Sequence, residues 1–170
     1  MNTFARFRLE FAPGAPRVST MELMVLGKGQ NNQQLHRDAD SWAYLRRSGD
    51  ENILFSANIA LSDFTETNGA TVVVPGSCQW SADQQAEEGE TCLEVMKQGS
   101  ALLYRGDVMH GGGNNTQDVI RTGFYIGYIP SWLSPLENHV VASGSDTVDK
   151  LDESIQHLLN VVPGGFTVIP

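Results

Sequence analysis

The 170 residues carry a net charge of −9, from 11 Lys and Arg against 20 Asp and Glu, with 41% hydrophobic and 18% charged side chains. That length and composition fit one globular domain and exclude a nucleic-acid surface, which needs clustered positive charge. No run approaches the ~18 apolar residues of a membrane span, and the first residues lack a secretory apolar core, so a cytoplasmic protein is expected. Two cysteines, Cys78 and Cys92, occur without a Cys-x-x-Cys pair, which points to free thiols rather than a structural zinc site.

Residues 1–19 are poorly patterned, because Pro13, Gly14 and Pro16 interrupt any regular element. From Thr20, Met21, Leu23 and Val25 alternate with Glu22, Met24 and Leu26, which predicts a strand ending at Gly27 and Gly29. A polar turn at residues 30–33 leads into Gln34-Leu35-His36-Arg37-Asp38. Residues 53–64 read as a strand, Asn68-Gly69 as a turn, and residues 70–74 as a short strand stopped by Pro75-Gly76. Residues 81–89 are polar and acidic, a loop or a short helix. Residues 91–96, 100–104 and 108–110 read as strands, Gly111 to Asn115 as a glycine loop, and residues 119–129 as the longest strand. About eight strands at this spacing, with no alternating helices, predict an all-β sandwich or barrel over residues 20–130. In the tail, residues 131–170, a helix is expected from Ser145 or Asp146 to Asn160. Its apolar face of Val148, Leu151, Ile155, Leu158 and Leu159 would pack on the outside of the barrel or form a homodimer contact.

His36 and Asp38 carry the chemistry. On a strand, residues two apart share a face, so an imidazole nitrogen and a carboxylate oxygen can aim at one point. His110, at the end of a later predicted strand, can complete the set in a closed barrel. Two His and one carboxylate on one face of an ion form the triad of non-haem Fe(II) oxygenases. Arg121 follows eleven positions after His110. Its guanidinium can fork two N–H donors onto a carboxylate. Trp42, Trp80 and Tyr128 are candidates for a hydrophobic pocket wall, or for ordinary core packing. No Gly-x-Ser-x-Gly or Lys-Ser/Thr phosphate loop occurs, so hydrolase and nucleotide-binding readings have no support.

Leu35-His36-Arg37-Asp38, then Thr67-Asn68-Gly69-Ala70-Thr71-Val72-Val73-Val74-Pro75-Gly76-Ser77, then His110-Gly111-Gly112-Gly113-Asn114 and Arg121 resemble the phytanoyl-CoA dioxygenase family. Those proteins are Fe(II)- and 2-oxoglutarate-dependent oxygenases. The resemblance implies a double-stranded β-helix, a jelly-roll or cupin-like all-β core, to which the tail adds the C-terminal helix read above. It implies that His36, Asp38 and His110 hold Fe(II), that Arg121 binds the far carboxylate of 2-oxoglutarate, and that Gln33 and Thr71 contact the same co-substrate. Trp132-Leu133-Ser134-Pro135-Leu136-Glu137-Asn138 is similar to the fungal branch, which includes dioxygenases of indole-alkaloid (ergot and fumitremorgin) and meroterpenoid pathways. The implied partner is therefore a hydrophobic small molecule to be hydroxylated, desaturated or cyclised, with no nucleic acid and no membrane.

Two departures from the family pattern bear on function. Only 35 residues precede His36, far fewer than the family usually has, and the resemblance thus also admits a truncated, inactive relative. Cys78 follows Ser77 where the family generally has His, a change expected to alter packing rather than the triad. A cupin-like binding module with another metal is a third reading, disfavoured by Arg121, for which such a module has no use.

Overall fold

The computed structural model describes residues 16–45 and 52–159. Among the described residues seven strands form two sheets: β1 (Pro16–Leu26), β2 (Phe55–Ala60), β3 (Thr71–Val73), β4 (Cys92–Glu94), β5 (Ala101–Arg105), β6 (His110–Gly112) and β7 (Arg121–Pro130). One sheet has the order β1-β7-β2-β5 and the other β4-β3-β6. All pairings are antiparallel. Strands adjacent in sequence, such as β2 and β3 or β5 and β6, lie in different sheets. That alternation between two facing sheets is the jelly-roll form of the double-stranded β-helix expected from the resemblance.

The alternation read in residues 20–26 is present in β1, which extends back to Pro16 and has a bulge between Val18 and Thr20. The bulge matters for facing, because one extra residue shifts which side chains point to which side. Beyond it, Glu22, Met24 and Leu26 pair with Tyr125, Gly123 and Arg121, while Met21, Leu23 and Val25 pair with Ile126, Phe124 and Thr122. Burial alternates along β7 from Arg121 to Ile129, with Arg121, Gly123, Tyr125 and Gly127 buried and the residues between them half-exposed.

Two apolar clusters flank the interior. Ala39, Trp42, Ile53, Leu54, Ile129 and Leu133 form one, and Ala60, Phe64 and Ala70 the other, with Met96 packed against it. Trp42 thus combines the two roles considered for it, since it packs in the first cluster and also lines the central cavity. Tyr128 sits on the outward side of β7, and Trp80 lies outside the cavity lining.

Three readings differ from what forms. Gly111 and Gly112 belong to strand β6, which begins rather than ends at His110. Asp38 opens a 3-10 helix (Asp38–Leu45) instead of continuing a strand. The helix expected from Ser145 or Asp146 to Asn160 is broken into two short pieces, α2 (Ser145–Val148) and α3 (Glu153–Leu158), and a further short helix, α1 (His139–Ser143), precedes them. Gly144, with φ +79° and ψ 141°, separates α1 from α2, and Asp152, with ψ 145°, leaves helical geometry before α3. Asp152 makes no side-chain capping bond, and Gln156 Nε2 covers the carbonyls freed by the break, donating to Leu151 O at 2.8 Å and Asp149 O at 3.4 Å. Asn160 and residues 163–165 lie outside the described residues. The tail is tied to the start of β1: buried His139 pairs through Nε2 with Val18 O at 3.1 Å, and Glu137 N donates to Ser19 O at 3.1 Å. No helix among the described residues is long and apolar enough to cross a membrane.

Candidate metal and co-substrate site

His36 and His110, far apart in sequence, meet through a single antiparallel bridge. His36 N donates to His110 O and His110 N to His36 O, each at 2.9 Å. Directly opposed residues of an antiparallel pair point to the same side, so the two rings stack obliquely with centroids 4.6 Å apart. On its other side His110 pairs with Val73 of β3, which ties the bridge into the smaller sheet. The turn before His110 is held by Met109 N donating to Ser77 Oγ at 2.7 Å. Cys78 beside it is half-buried, and both cysteines are free.

Each imidazole is oriented from behind. His36 Nδ1 is 2.9 Å from Gln34 O, and His110 Nδ1 is 3.0 Å from Val108 O. A carbonyl only accepts, so Nδ1 of each ring carries a proton, and in the neutral ring that binds a metal Nε2 presents the lone pair. Both Nε2 atoms face Asp38 Oδ1, at 3.5 Å from His36 and 3.4 Å from His110. Adjacent ligand atoms on an octahedral ion of iron's size lie about 3 Å apart, so a small inward adjustment closes the set. The donor set, two imidazoles and a carboxylate, fits Fe(II) in the facial arrangement. It is also the one cluster among the described residues whose possible ligand atoms all lie within 4.8 Å of one another.

The electrostatics match that role. Burial opposes ionisation of the Asp38 carboxyl, but hydrogen bonds with His110, His36 and Ser56 outweigh it and hold the group far below the usual carboxylate range. The hydrogen bond with Asp38 raises the His36 imidazole above its ordinary 6.5. Asp38 is therefore a carboxylate at neutral pH, ready to bind a cation.

A cavity of about 690 Å³, within the range of small-molecule sites, opens beside these ligands. Arg121, Gln33 and Thr71 all line it together with His36, Asp38 and His110. Arg121 is 1% exposed, and its burial lowers the guanidinium pKa to about 10. Its geometry differs from the free fork expected from sequence. Nε and Nη2 both donate to Gly69 O, at 3.0 and 2.7 Å, and the Phe64 ring lies 3.9 Å beneath the guanidinium carbon. Gly69 takes φ +96°, which few other residues adopt, and a Cβ there would come within 2.9 Å of Leu26 Cδ2. The Asn68-Gly69 turn thus aims a carbonyl at Arg121 and leaves Nη1 as its one buried nitrogen without a partner.

Gln33 is engaged with β6: Gly112 N donates to its Oε1 at 3.0 Å, and its own N donates to Gly112 O at 2.8 Å. Thr71 is 3% exposed, and its Oγ1 accepts from Asn58 Nδ2 at 3.1 Å. Asn58 is absent from the sequence-based site. It is buried in the same cavity lining and its Oδ1 has no partner. Ser56, Tyr104 and Tyr125 were also missed, although their hydroxyls meet at Asp38. A signal for Ser56 and Asn58 existed: two polar residues share one face of the otherwise apolar run Phe55-Ser56-Ala57-Asn58-Ile59-Ala60.

Known proteins are similar to this chain in sequence or in fold. Dioxygenase FUM3 of Gibberella moniliformis is 33% identical over 155 residues, 90% of this chain and 52% of FUM3. Dioxygenase trt7 of Aspergillus terreus is 34% identical over 137 residues, 79% of this chain and 47% of trt7. The chain thus spans about half the length of these relatives. Among solved structures, EctD from S. alaskensis with 2-oxoglutarate and 5-hydroxyectoine superposes with a TM-score of 0.58 at 19% identity, covering 69% of this chain and 45% of EctD. EctD has also been solved with bound Fe. Residues 19–123 match the family described as phytanoyl-CoA dioxygenase (PhyH), a stretch that holds all three metal-ligand candidates and Arg121, and the chain belongs to that family.

Proposed function

We propose that the protein is an Fe(II)- and 2-oxoglutarate-dependent dioxygenase that oxidises a hydrophobic small molecule. The observation that carries this reading is the meeting, in one cavity, of the His36–Asp38–His110 donor set with the buried, unpartnered Arg121 Nη1. Buried donors without partners are rare, and a carboxylate is the natural acceptor for this one. Membership of the family and the Fe- and 2-oxoglutarate-bound structures of EctD support the same assignment.

In this reading His36 Nε2, His110 Nε2 and Asp38 Oδ1 hold the metal, and the Gln34 and Val108 carbonyls keep the rings in the binding tautomer. Iron with bound 2-oxoglutarate would, with dioxygen, supply there an oxidant for an unactivated C–H bond. Arg121 Nη1 receives the far carboxylate. Asn58 and Thr71 form one polar pair in the cavity lining, and rotation of the Asn58 amide would turn Nδ2 into the cavity as a second donor while Thr71 Oγ1 donates to Oδ1. Gln33, fixed on Gly112, closes that side. Met24, Leu26 and Trp42 supply apolar lining, which suits a hydrophobic substrate and excludes water from the reacting C–H. The finer reading, a fungal alkaloid such as one of the ergot type, rests on the resemblance of residues 132–138 to the fungal branch.

Incubation with Fe(II), 2-oxoglutarate and oxygen should convert 2-oxoglutarate to succinate, faster with hydrophobic candidate substrates and not at all in His110→Ala. A folded, iron-loaded protein that yields no succinate with or without substrate contradicts the proposal. It favours the second reading, a relative without turnover, for which the 62% exposure of Leu23 and 56% exposure of Val25 on the outer sheet face speak. Apolar residues so open on a sheet face normally pack against something.

A further inference from the structure

The two oxygens of Asp38 have sharply different surroundings. Oδ1 faces the two histidine Nε2 atoms. Oδ2 faces three hydroxyls: Ser56 Oγ donates to it at 2.8 Å, Tyr125 OH at 3.0 Å and Tyr104 OH at 3.4 Å. Ser56 Oγ and Tyr125 OH are themselves 3.1 Å apart, and Tyr104 OH is shared with His110 Nε2, also at 3.1 Å. The three come from adjacent strands of the larger sheet. Ser56 of β2 lies opposite Tyr104 of β5 and Gly127 of β7. A Cβ at position 127 would sit 3.1 Å from the Tyr125 hydroxyl, so the glycine leaves the space that hydroxyl needs. All three donors are buried, at 1% exposure for Ser56, 8% for Tyr104 and 9% for Tyr125.

We propose that Ser56 and Tyr125 are positioning residues that hold Asp38 Oδ2 away from the metal, so that the carboxylate gives it one oxygen and not two. This rests on the Fe(II)/2-oxoglutarate reading above and deepens it. A carboxylate can bind an ion through either one or both oxygens. A carboxylate oxygen that already accepts short hydrogen bonds has its lone pairs engaged and is a poor second ligand. Denticity decides what the site can hold. With three protein atoms on a six-coordinate ion, a chelating 2-oxo acid would fill two of the remaining positions and one would stay open. A bidentate Asp38 would fill that last position. Tyr104, longer and divided between Asp38 and His110, is the secondary member of the clamp.

The test replaces iron with Mn(II), whose unpaired electrons accelerate the relaxation of water protons that exchange at the ion. With 2-oxoglutarate bound, the wild-type protein should keep the enhancement of one exchangeable water. Ser56→Ala with Tyr125→Phe frees Oδ2 and should remove most of that enhancement, while Mn(II) stays bound with affinity changed less than about tenfold, the low end of effects for groups that touch a ligand. Ser56→Thr, which keeps a hydroxyl, should behave as wild type. If the double variant does not fold, Tyr125→Phe alone should show a partial loss. Unchanged enhancement in a folded variant overturns the proposal, as does loss of Mn(II) and 2-oxoglutarate together in step with a lowered melting temperature. A wild-type protein that takes up no Mn(II), or does not respond to 2-oxoglutarate, instead removes the functional reading on which the proposal rests.

Discussion

On β7, Arg121 and Tyr125 point inward beside Gly123 and Gly127, whereas Thr122, Phe124, Ile126 and Tyr128 point outward. The neighbouring strands repeat the contrast. Ser56 and Asn58 of β2 and Tyr104 of β5 are buried beside the cavity, while Met21, Leu23 and Val25 of β1 and Leu103 of β5 are exposed. The sheet thus reverses the usual arrangement of apolar inside and polar outside. The reversal shows where stability and chemistry reside. The inner face is polar because it is built around ligands, and each of its hydroxyls and amides needs a partner. Stability comes from the flanking clusters around Trp42 and Phe64 rather than from the middle of the barrel.

If that contrast is right, inner-face substitutions change binding more than stability, cluster substitutions do the reverse, and outer-face substitutions change neither by much. The largest effect belongs to the donor set. Asp38→Ala or His110→Ala should abolish stoichiometric iron, read by anaerobic titration, and retained iron in either breaks the ligand assignment. Phe64→Ala comes next in stability. Phe64 is 0% exposed and lies under Arg121, so a loss of about 3–5 kcal/mol is expected in denaturant unfolding, with weakened 2-oxoglutarate binding as a secondary effect.

Arg121→Ala removes one charge-assisted donor to the co-substrate, worth roughly 1.5–3 kcal/mol, and should weaken 2-oxoglutarate about 10- to 100-fold with iron affinity unchanged. It also strips Gly69 O of its partners, so calorimetry should show a lower melting temperature as well.

The raised His36 pKa gives a pH dependence of definite sign. A group whose folded pKa exceeds its unfolded value stabilises the fold fully below the unfolded pKa and loses that contribution as pH rises through the folded one. Metal needs the neutral ring, so iron affinity moves the opposite way and falls as pH drops through the raised His36 pKa. The gap in melting temperature between metal-loaded and metal-free protein should therefore widen from about pH 6 to about pH 8. A gap that narrows over that interval contradicts the His36–Asp38 pairing. The smallest effect is expected for Leu23→Ser on the open outer face, within about 0.5 kcal/mol. A larger loss there would show that the face is covered in solution.

Much of the site was legible in the residues because its ligands are sparse and chemically loud. His36 and Asp38 two apart, a later His110 and an Arg121 stand out against an apolar strand pattern. Their convergence was not legible, because it depends on one backbone bridge between His36 and His110 and on a helix start at Asp38. Nor was the hydroxyl clamp. Ser56, Tyr104 and Tyr125 look like ordinary strand residues until strand pairing sets them side by side. Nor is it legible that a single turn carbonyl, Gly69 O, takes two nitrogens of Arg121 and leaves Nη1 to face a carboxylate alone. The tail helix failed at Asp152, where extended backbone interrupts a sequence whose apolar spacing alone would continue.

The central claim is that Arg121 Nη1 and the His36–Asp38–His110 set serve one co-substrate. Anaerobic titration with Fe(II) and then 2-oxoglutarate, followed by visible absorption, addresses it directly. Chelation of the iron by the 2-oxo acid should produce a weak charge-transfer band in the wild-type protein, which Arg121→Ala should show only at much higher 2-oxoglutarate concentration. A folded, iron-loaded wild-type protein that develops no band, or a band indifferent to Arg121→Ala, contradicts the account.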